Sequence, residues 1–417
     1  MLCEKCNEKS ICLMKPSNRE KLCKECFIKN FEDEVHMTII KKRMFEANDK
    51  ICIAVSGGKD SSVLTHVLVN IKKKYNYKWD LFLLAIDEGI KGYRDDSLKV
   101  VYKLEKLYNL PLKILKFNDI FSYTMDDVVK FIGKKNNCTV CGVFRRQAME
   151  KGALLFNATK LVTGHNADDM AETILMNLCR GDIDKLARNI NDYTFTSPLN
   201  NSMEKEILTV NKKHIENNYD YMNGIENDID KQNLLQNEIY NDKLCQVKTK
   251  DNIEKSPIQN KINDHFNNEK NISNNIINPK ESEKRKNFFL PRLKPLMWCY
   301  EKEIVLYAFH LKLDYFSTEC TYSPNSFRGN LRSFIKDIET INPQFILNII
   351  HSAEFFYFNA NNKKMLNVCI KCGAYTSNQV CKACLIVTGL NNYKDNSFLY
   401  SNKKKNKKKI SINYEKK

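Results

Sequence analysis

Ser56-Gly57-Gly58-Lys59-Asp60-Ser61 joins a short apolar run, Ile51–Val55, to an amphipathic helical pattern that continues to about Lys74. A strand, a tight turn and a helix N-terminus in that order aim several backbone N–H groups at one point. The positive end of the helix stabilises an anion there. Gly57 and Gly58 permit close backbone approach, and Ser56, Lys59 and Ser61 add donors, so the loop suits a phosphate. It is not a Walker loop, because four residues do not separate its glycines ahead of Gly-Lys-Ser/Thr, and it is not Gly-x-Gly-x-x-Gly. The competing reading is a glycine turn that binds nothing.

The cysteines sort into three groups. Cys3-x-x-Cys6 and Cys23-x-x-Cys26 are separated by 16 residues, and Cys369-x-x-Cys372 and Cys381-x-x-Cys384 by eight. Two such knuckles can place four thiolates around one tetrahedral zinc, so two structural Zn²⁺ sites are expected. Cys138-Thr-Val-Cys141 has no second knuckle left to pair with. A distant single cysteine could complete a three-point iron–sulfur site with one iron open. Spacing leaves Cys12, Cys52, Cys179, Cys245, Cys299 and Cys320 as candidates. Cys52 and Cys179 fall in strand and helix patterns and read as packed core. Cys320 falls in a loop between two helical patterns, where a ligand could be presented.

Asp168 and Asp169 begin a helix after a strand ending at Thr163. They could hold Mg²⁺ against a phosphate or orient a base, with helix capping as the competing role. Gly164 and His165 lie in the same loop, His165 as a phosphate donor or a plain loop residue. Arg145 and Arg146 follow the Cys138/Cys141 pair and could balance phosphate charge, against a solvated helix face. Asp87 ends a second strand at the carboxyl edge of the expected sheet, where its backbone is expected to contact a nucleotide base.

These residues must be held by a scaffold, and residues 50–190 supply one. Strand patterns near Ile51–Val55, Leu81–Asp87, Leu112–Phe117 and Leu161–Thr163 alternate with helical ones. That alternation predicts an α/β fold, a parallel sheet with helices on both faces. The expected domains are an N-terminal zinc module (1–35), a nucleotide domain (36–199), an Asn-rich insertion (200–287), the remainder of the catalytic domain (288–360), a C-terminal zinc module (361–395) and a Lys-rich tail (396–417). Eighteen of the 80 residues from 201 to 280 are Asn, and apolar periodicity is lost, so the insertion is expected to be disordered padding on the surface. Helical patterns return at Lys302–Leu311 and Phe327–Thr340.

The chain carries a net charge of +17, which suits a polyanionic partner such as nucleic acid as well as a merely soluble surface. No apolar stretch is long enough to span a membrane. Sixteen cysteines behind an N-terminus without an apolar signal region point to metal ligands and a reducing compartment.

The loop Ser56–Ser61 resembles that of the PP-loop ATP pyrophosphatases (adenine nucleotide alpha hydrolase-like), which cleave ATP between the α and β phosphates. With it, Cys138-Thr-Val-Cys-Gly-Val-Phe-Arg-Arg-Gln147, Thr163-Gly-His-Asn-Ala-Asp-Asp-Met-Ala-Glu-Thr173 and Met176-Asn-Leu-Cys-Arg-Gly-Asp182 resemble the catalytic subunits of cytoplasmic tRNA 2-thiolation. Those subunits stand among the PP-loop tRNA 2-thiouridine and 2-thiocytidine synthetases. The resemblance covers about 1–200 and 287–395. It implies an ATP-dependent tRNA sulfurtransferase that adenylates the C2 oxygen of the wobble uridine, position 34, and replaces it with sulfur. It implies ATP bound by Ser56–Ser61, Asp87, Gly164 and His165, with Asp168, Asp169 and Arg145 in the chemistry. It implies a [4Fe-4S] cluster on three cysteines, Cys138, Cys141 and Cys320. Its implied partners are the anticodon region of tRNA, a second subunit in a homo- or heterodimer, and a thiocarboxylated ubiquitin-related modifier as sulfur carrier, all in the cytoplasm. Other PP-loop ligases lack the zinc modules and Cys138/Cys141. A noncatalytic RNA adaptor would have no use for an intact phosphate loop.

Overall fold

The computed structural model describes residues 1–133, 136–183, 185–186, 290–318, 320–322, 327–356 and 367–400, with side chains to 393. The Asn-rich insertion with Cys245, and the tail beyond Tyr400, lie outside the described residues. Each four-cysteine module is a knuckle, a two-stranded ribbon and a helix that starts at the second knuckle. In the first, β1 (Leu13–Met14) pairs antiparallel with β2 (Lys21–Leu22) before α1 (Lys24–Lys41). That helix runs past residue 35 into the body of the protein.

Five strands make the central sheet. β3 (Lys50–Val55) leads through the phosphate loop to α2 (Lys59–Lys74). Then follow β4 (Asp80–Asp87), α3 (Tyr93–Tyr108), β5 (Leu112–Lys116), α4 (Phe117–Phe121), α5 (Met125–Ile132), α6 (Asn137–Leu155), β6 (Lys160–Val162) and α7 (Ala167–Cys179). β7 (Arg292–Leu293) closes the sheet, and α8 (Glu301–Leu311), α9 (Phe327–Ile341) and α10 (Gln344–Glu354) follow it. The C-terminal module holds β8 (Asn367–Val368), β9 (Tyr375–Thr376) and α11 (Lys382–Tyr400), whose helix passes the expected boundary at residue 395. The sheet is parallel in the order β5-β4-β3-β6-β7. The four strands expected from sequence are present.

Strand alternation divides the core into two layers. Ile51, Ile53, Val55, Leu81 and Leu83 face one side, packed with Phe27, Phe31 and the buried Cys3 and Cys23 of the first module. Cys52, Phe82, Leu84 and Ile86 face the other, packed with Phe144 and the buried Cys369 and Cys381 of the second. Each four-cysteine module therefore belongs to the core of one face. Cys52 is buried as expected, but Cys179 is not core: it is exposed at the last turn of α7, where the helix end leaves the packed face.

The chain winds outward from β3 in both directions, to β4 and β5 on one side and to β6 and β7 on the other. The strand order reverses between β3 and β6. Loops leaving their carboxyl ends diverge there and open a crevice, the usual ligand position in an open α/β sheet.

Candidate active site

The phosphate loop occupies that crevice. Gly57 has φ +84°, a left-handed conformation that favours glycine, and a Cβ there would stand 2.4 Å from the Ser97 carbonyl oxygen. The Gly58 N–H donates to Ser56 Oγ at 3.2 Å, the Ser56 N–H donates to Ser61 Oγ at 3.2 Å, and Ser61 Oγ donates to the Gly58 carbonyl at 3.0 Å. The turn is thus wired by its own two serines, with the N-terminus of α2 behind it. The loop after β6 packs directly on it: a Cβ at Gly164 would lie 2.9 Å from the Asp60 carbonyl carbon. The bare backbones of three glycines form a cradle that suits a phosphate chain.

Charges gather around Lys59. Its ammonium meets Glu301 at 2.6 Å and Asp60 at 3.6 Å. Burial works to lower the Lys59 pKa, but Asp60, Glu301 and Asp169 outweigh it and hold it above its ordinary value. Burial pushes the Asp60 carboxyl up, and the nearby Asp169 and Glu301 add to that against Lys59. Burial also works to raise Glu301, yet Lys59 and Lys336 prevail and bring it down to about 2.

Asn166 caps α7: its side chain accepts from the Asp169 N–H at 2.9 Å and donates to Asp60 at 3.0 Å. Asp169 closes the capping box and also meets Arg328 at 2.5 Å. Asp168 is buried and accepts from the Glu301 backbone N–H at 2.8 Å and from Lys336 at 2.5 Å. It therefore stabilises the N-terminus of α8 rather than of its own helix. His165 is exposed, its Nδ1 2.7 Å from Thr163 Oγ1. Asp87 ends β4 and accepts from the Gly89 N–H at 2.9 Å, shaping the next turn.

Cys138 and Cys141 lie on the first turns of α6, and Cys320 stands beside them. The Tyr322 carbonyl accepts from Asn137 Nδ2 at 3.3 Å and from the Cys138 thiol at 3.6 Å. Burial pushes Cys138 up, and the Cys320 charge adds to it. Burial pushes Cys141 up to about 11 against the pull of Arg145, and Cys320 and Cys138 both act on it. Arg145 Nη2 donates to Cys141 Sγ at 3.6 Å. Among the described residues, only the two four-cysteine groups bring their ligand atoms within 4.8 Å of one another. The Cys138/Cys141/Cys320 set is not among them.

The four-cysteine groups fit zinc. Cys23 Sγ accepts from the Cys26 N–H at 3.5 Å, and Cys381 Sγ from the Cys384 N–H at 3.4 Å, each at the start of a helix. Burial pushes Cys3 up, but N–H groups of Cys23, Cys6 and Lys5 hold its pKa down at about 6, while Cys26 is pushed to about 12 by burial and by its neighbours. Four thiols so placed ionise together only around a cation.

Sequence reading missed Glu88, Arg94, Gln147, Glu172, Glu301, Arg328, Arg332 and Lys336. A usable signal was present. Arg328, Arg332 and Lys336 recur every four residues on α9, and Asp168 and Glu172 do the same on α7, so the two helices close like a zip.

With this geometry in place, comparison with known proteins is direct. A PP-loop domain profile matches residues 29–240. The cytoplasmic tRNA 2-thiolation protein 1 of Dictyostelium discoideum is 42% identical over 391 residues, covering 94% of this chain and 84% of that protein. Its counterpart in Arabidopsis thaliana is 41% identical over 391 residues, covering 94% and 85%. Among solved structures, the U34-tRNA thiolase NcsA from Methanococcus maripaludis, with its [4Fe-4S] cluster, superposes with a TM-score of 0.61 at 24% identity over 94% of this chain and 96% of that one. That likeness establishes a shared fold.

Proposed function

The chain belongs to the cytoplasmic tRNA 2-thiolation protein 1 family, and from that premise we propose that it is an ATP-dependent tRNA sulfurtransferase acting on C2 of the wobble uridine. One observation supports the reading most: the phosphate loop after β3 and the Cys141–Arg145–Glu88 contacts at the end of β4 share one edge of the sheet. A uracil C2 oxygen is a poor leaving group. Its attack on the ATP α-phosphorus expels pyrophosphate and leaves the oxygen on AMP. A sulfur nucleophile then adds at C2, the C2–O bond breaks, and AMP departs.

The residues divide this work. Ser56–Ser61 and the N-terminus of α2 hold the triphosphate, with Gly164 and His165 flanking it and the backbone near Asp87 at the base. Asp60 and Asp169 would hold a Mg²⁺, which would neutralise phosphate charge, while Asp168 and Lys336 fix α8 so that Glu301 meets Lys59. Cys138, Cys141 and Cys320 would hold a [4Fe-4S] cluster, whose chemistry would be to bind and deliver sulfur. Arg145 sets a guanidinium beside them for charge that develops on sulfur or oxygen.

Cys3, Cys6, Cys23 and Cys26 hold one structural zinc, and Cys369, Cys372, Cys381 and Cys384 a second. The tRNA presents its anticodon region with the target base unstacked, at a cost of a few kcal/mol. A second subunit of the thiolation complex and a thiocarboxylated ubiquitin-related modifier complete the system. The relatives are named as cytoplasmic and no described helix is long and apolar enough to cross a membrane, so the cytoplasm is the assigned compartment.

The test is AMP formation. The anaerobically reconstituted chain, given ATP, Mg²⁺ and sulfide, is expected to form AMP only when unmodified tRNA is present. No tRNA-dependent AMP would favour an adaptor.

A further inference from the structure

Four contacts run in series from the phosphate loop to the cysteines. The carbonyl of Ser56 accepts from Arg94 Nη1 at 3.0 Å. Arg94 Nε lies 3.4 Å from Glu88 Oε2, and Glu88 Oε1 lies 2.8 Å from Arg145 Nη2. That same nitrogen reaches Cys141 Sγ at 3.6 Å. Glu88 and Arg94 are only 4% and 3% exposed. Arg94 Nε and Nη2 and Glu88 Oε2 lack a hydrogen-bond partner among the described residues.

Such a pair is a poor device for stability alone. Burying two charges costs several kcal/mol, and a well-packed apolar pair of similar volume often does as well or better. The position of the pair gives a better reason for it. Glu88 follows the last residue of β4, and Arg94 lies on the first turn of α3, whose Ser97 touches Gly57. A second tie runs in parallel. The Phe316 N–H donates to the Gly57 carbonyl at 2.8 Å, and the Phe316 ring packs on Tyr93 at 5.4 Å, four residues before Cys320. Both sides of the cysteine site are thus tied to the phosphate loop.

We propose that Glu88 is a positioning residue for sulfur transfer: with Arg94 it fixes the Arg145 guanidinium against the cysteine site and joins it to the phosphate loop. The proposal rests on the sulfurtransferase reading above. A half-exposed arginine would otherwise sample many rotamers. Held by Glu88 at one nitrogen, it presents its fork in one orientation, to sulfur on one side and to an incoming oxyanion on the other.

A double-mutant cycle tests this in the anaerobically reconstituted full chain. Glu88→Gln keeps the shape and removes the charge. It is expected to lower the kcat for 2-thiouridine formation by about tenfold or more and move the KM for ATP less than about threefold. Glu88→Gln combined with Arg145→Gln should be no worse than Arg145→Gln alone. The midpoint potential of the cluster should follow the same pattern, shifted by either single change and shifted no further by both. Multiplying effects on kcat, or a potential indifferent to Glu88→Gln, overturn the proposal. Because Glu88→Gln strands the buried Arg94, Arg145→Lys supplies a variant at a half-exposed position. It should lose as much as Arg145→Gln, since lysine has no fork to hold; full activity there would also overturn the proposal. A wild-type chain forming no 2-thiouridine sinks the sulfurtransferase reading itself, whereas an active wild type with independent effects sinks the positioning role alone.

Discussion

Lys59 is the residue on which the phosphate loop's charge balance turns. Its ammonium is held by Glu301 and Asp60. A triphosphate must compete with those carboxylates and then gains a charge-assisted contact of about 1.5–3 kcal/mol. Lys59→Ala is therefore expected to raise the KM for ATP by about 10–100-fold in steady-state AMP release. Glu301 carries the matching pH effect. Its folded pKa, about 2, lies below its ordinary 4.5. Its contribution to stability is thus fully present above pH 4.5 and is lost as the pH falls from there toward about 2. In thermal melts, wild type should lose its advantage over Glu301→Gln across that acid range. A constant difference across it would contradict the assignment.

At the scale of elements, α6 connects the two chemistries. Its first turns carry Cys138 and Cys141, and Gln147 further along donates to Cys372 Sγ at 3.2 Å and to Cys381 Sγ at 3.5 Å. Gly152, near its end, packs so closely on the sheet that a Cβ would meet Leu115 at 2.6 Å. The C-terminal four-cysteine group is therefore anchored to the helix that bears Cys138 and Cys141. Gln147→Leu removes both donors, and outer-shell losses cost about 10–100-fold in metal affinity. It should speed metal release from the C-terminal site to a chromogenic chelator while the N-terminal site, as internal reference, keeps its rate. Equal rates at both sites would contradict this role.

Much of this was legible in the sequence, for a physical reason. Strands, the glycine loop and the cysteine knuckles are local patterns of period or spacing, and they appear where the pattern placed them. The four-residue spacing of Arg328 and Lys336 was legible, but their pairing with Asp169, Asp168 and Glu301 was not, because it exists only once α7, α8 and α9 pack. Cys179 was misread for the opposite reason: a helical period continues to the end of α7 while the burial it signals does not.

At the scale of the whole molecule, the two core layers each carry one cysteine module, and the sheet between them carries the nucleotide crevice on its carboxyl edge. The phosphate loop and the Cys138/Cys141 turn are thereby brought to adjoining strand ends within one chain. The central claim is that Cys138, Cys141 and Cys320 together hold the cluster that makes thiolation possible. The most direct measurement pairs iron analysis with mass spectrometry of tRNA nucleosides, on wild type and Cys320→Ser reconstituted anaerobically. Wild type should give 2-thiouridine at position 34 with one AMP for each, and Cys320→Ser should lose iron and thiolation together. A Cys320→Ser protein that keeps full iron and full thiolation would contradict the three-cysteine site.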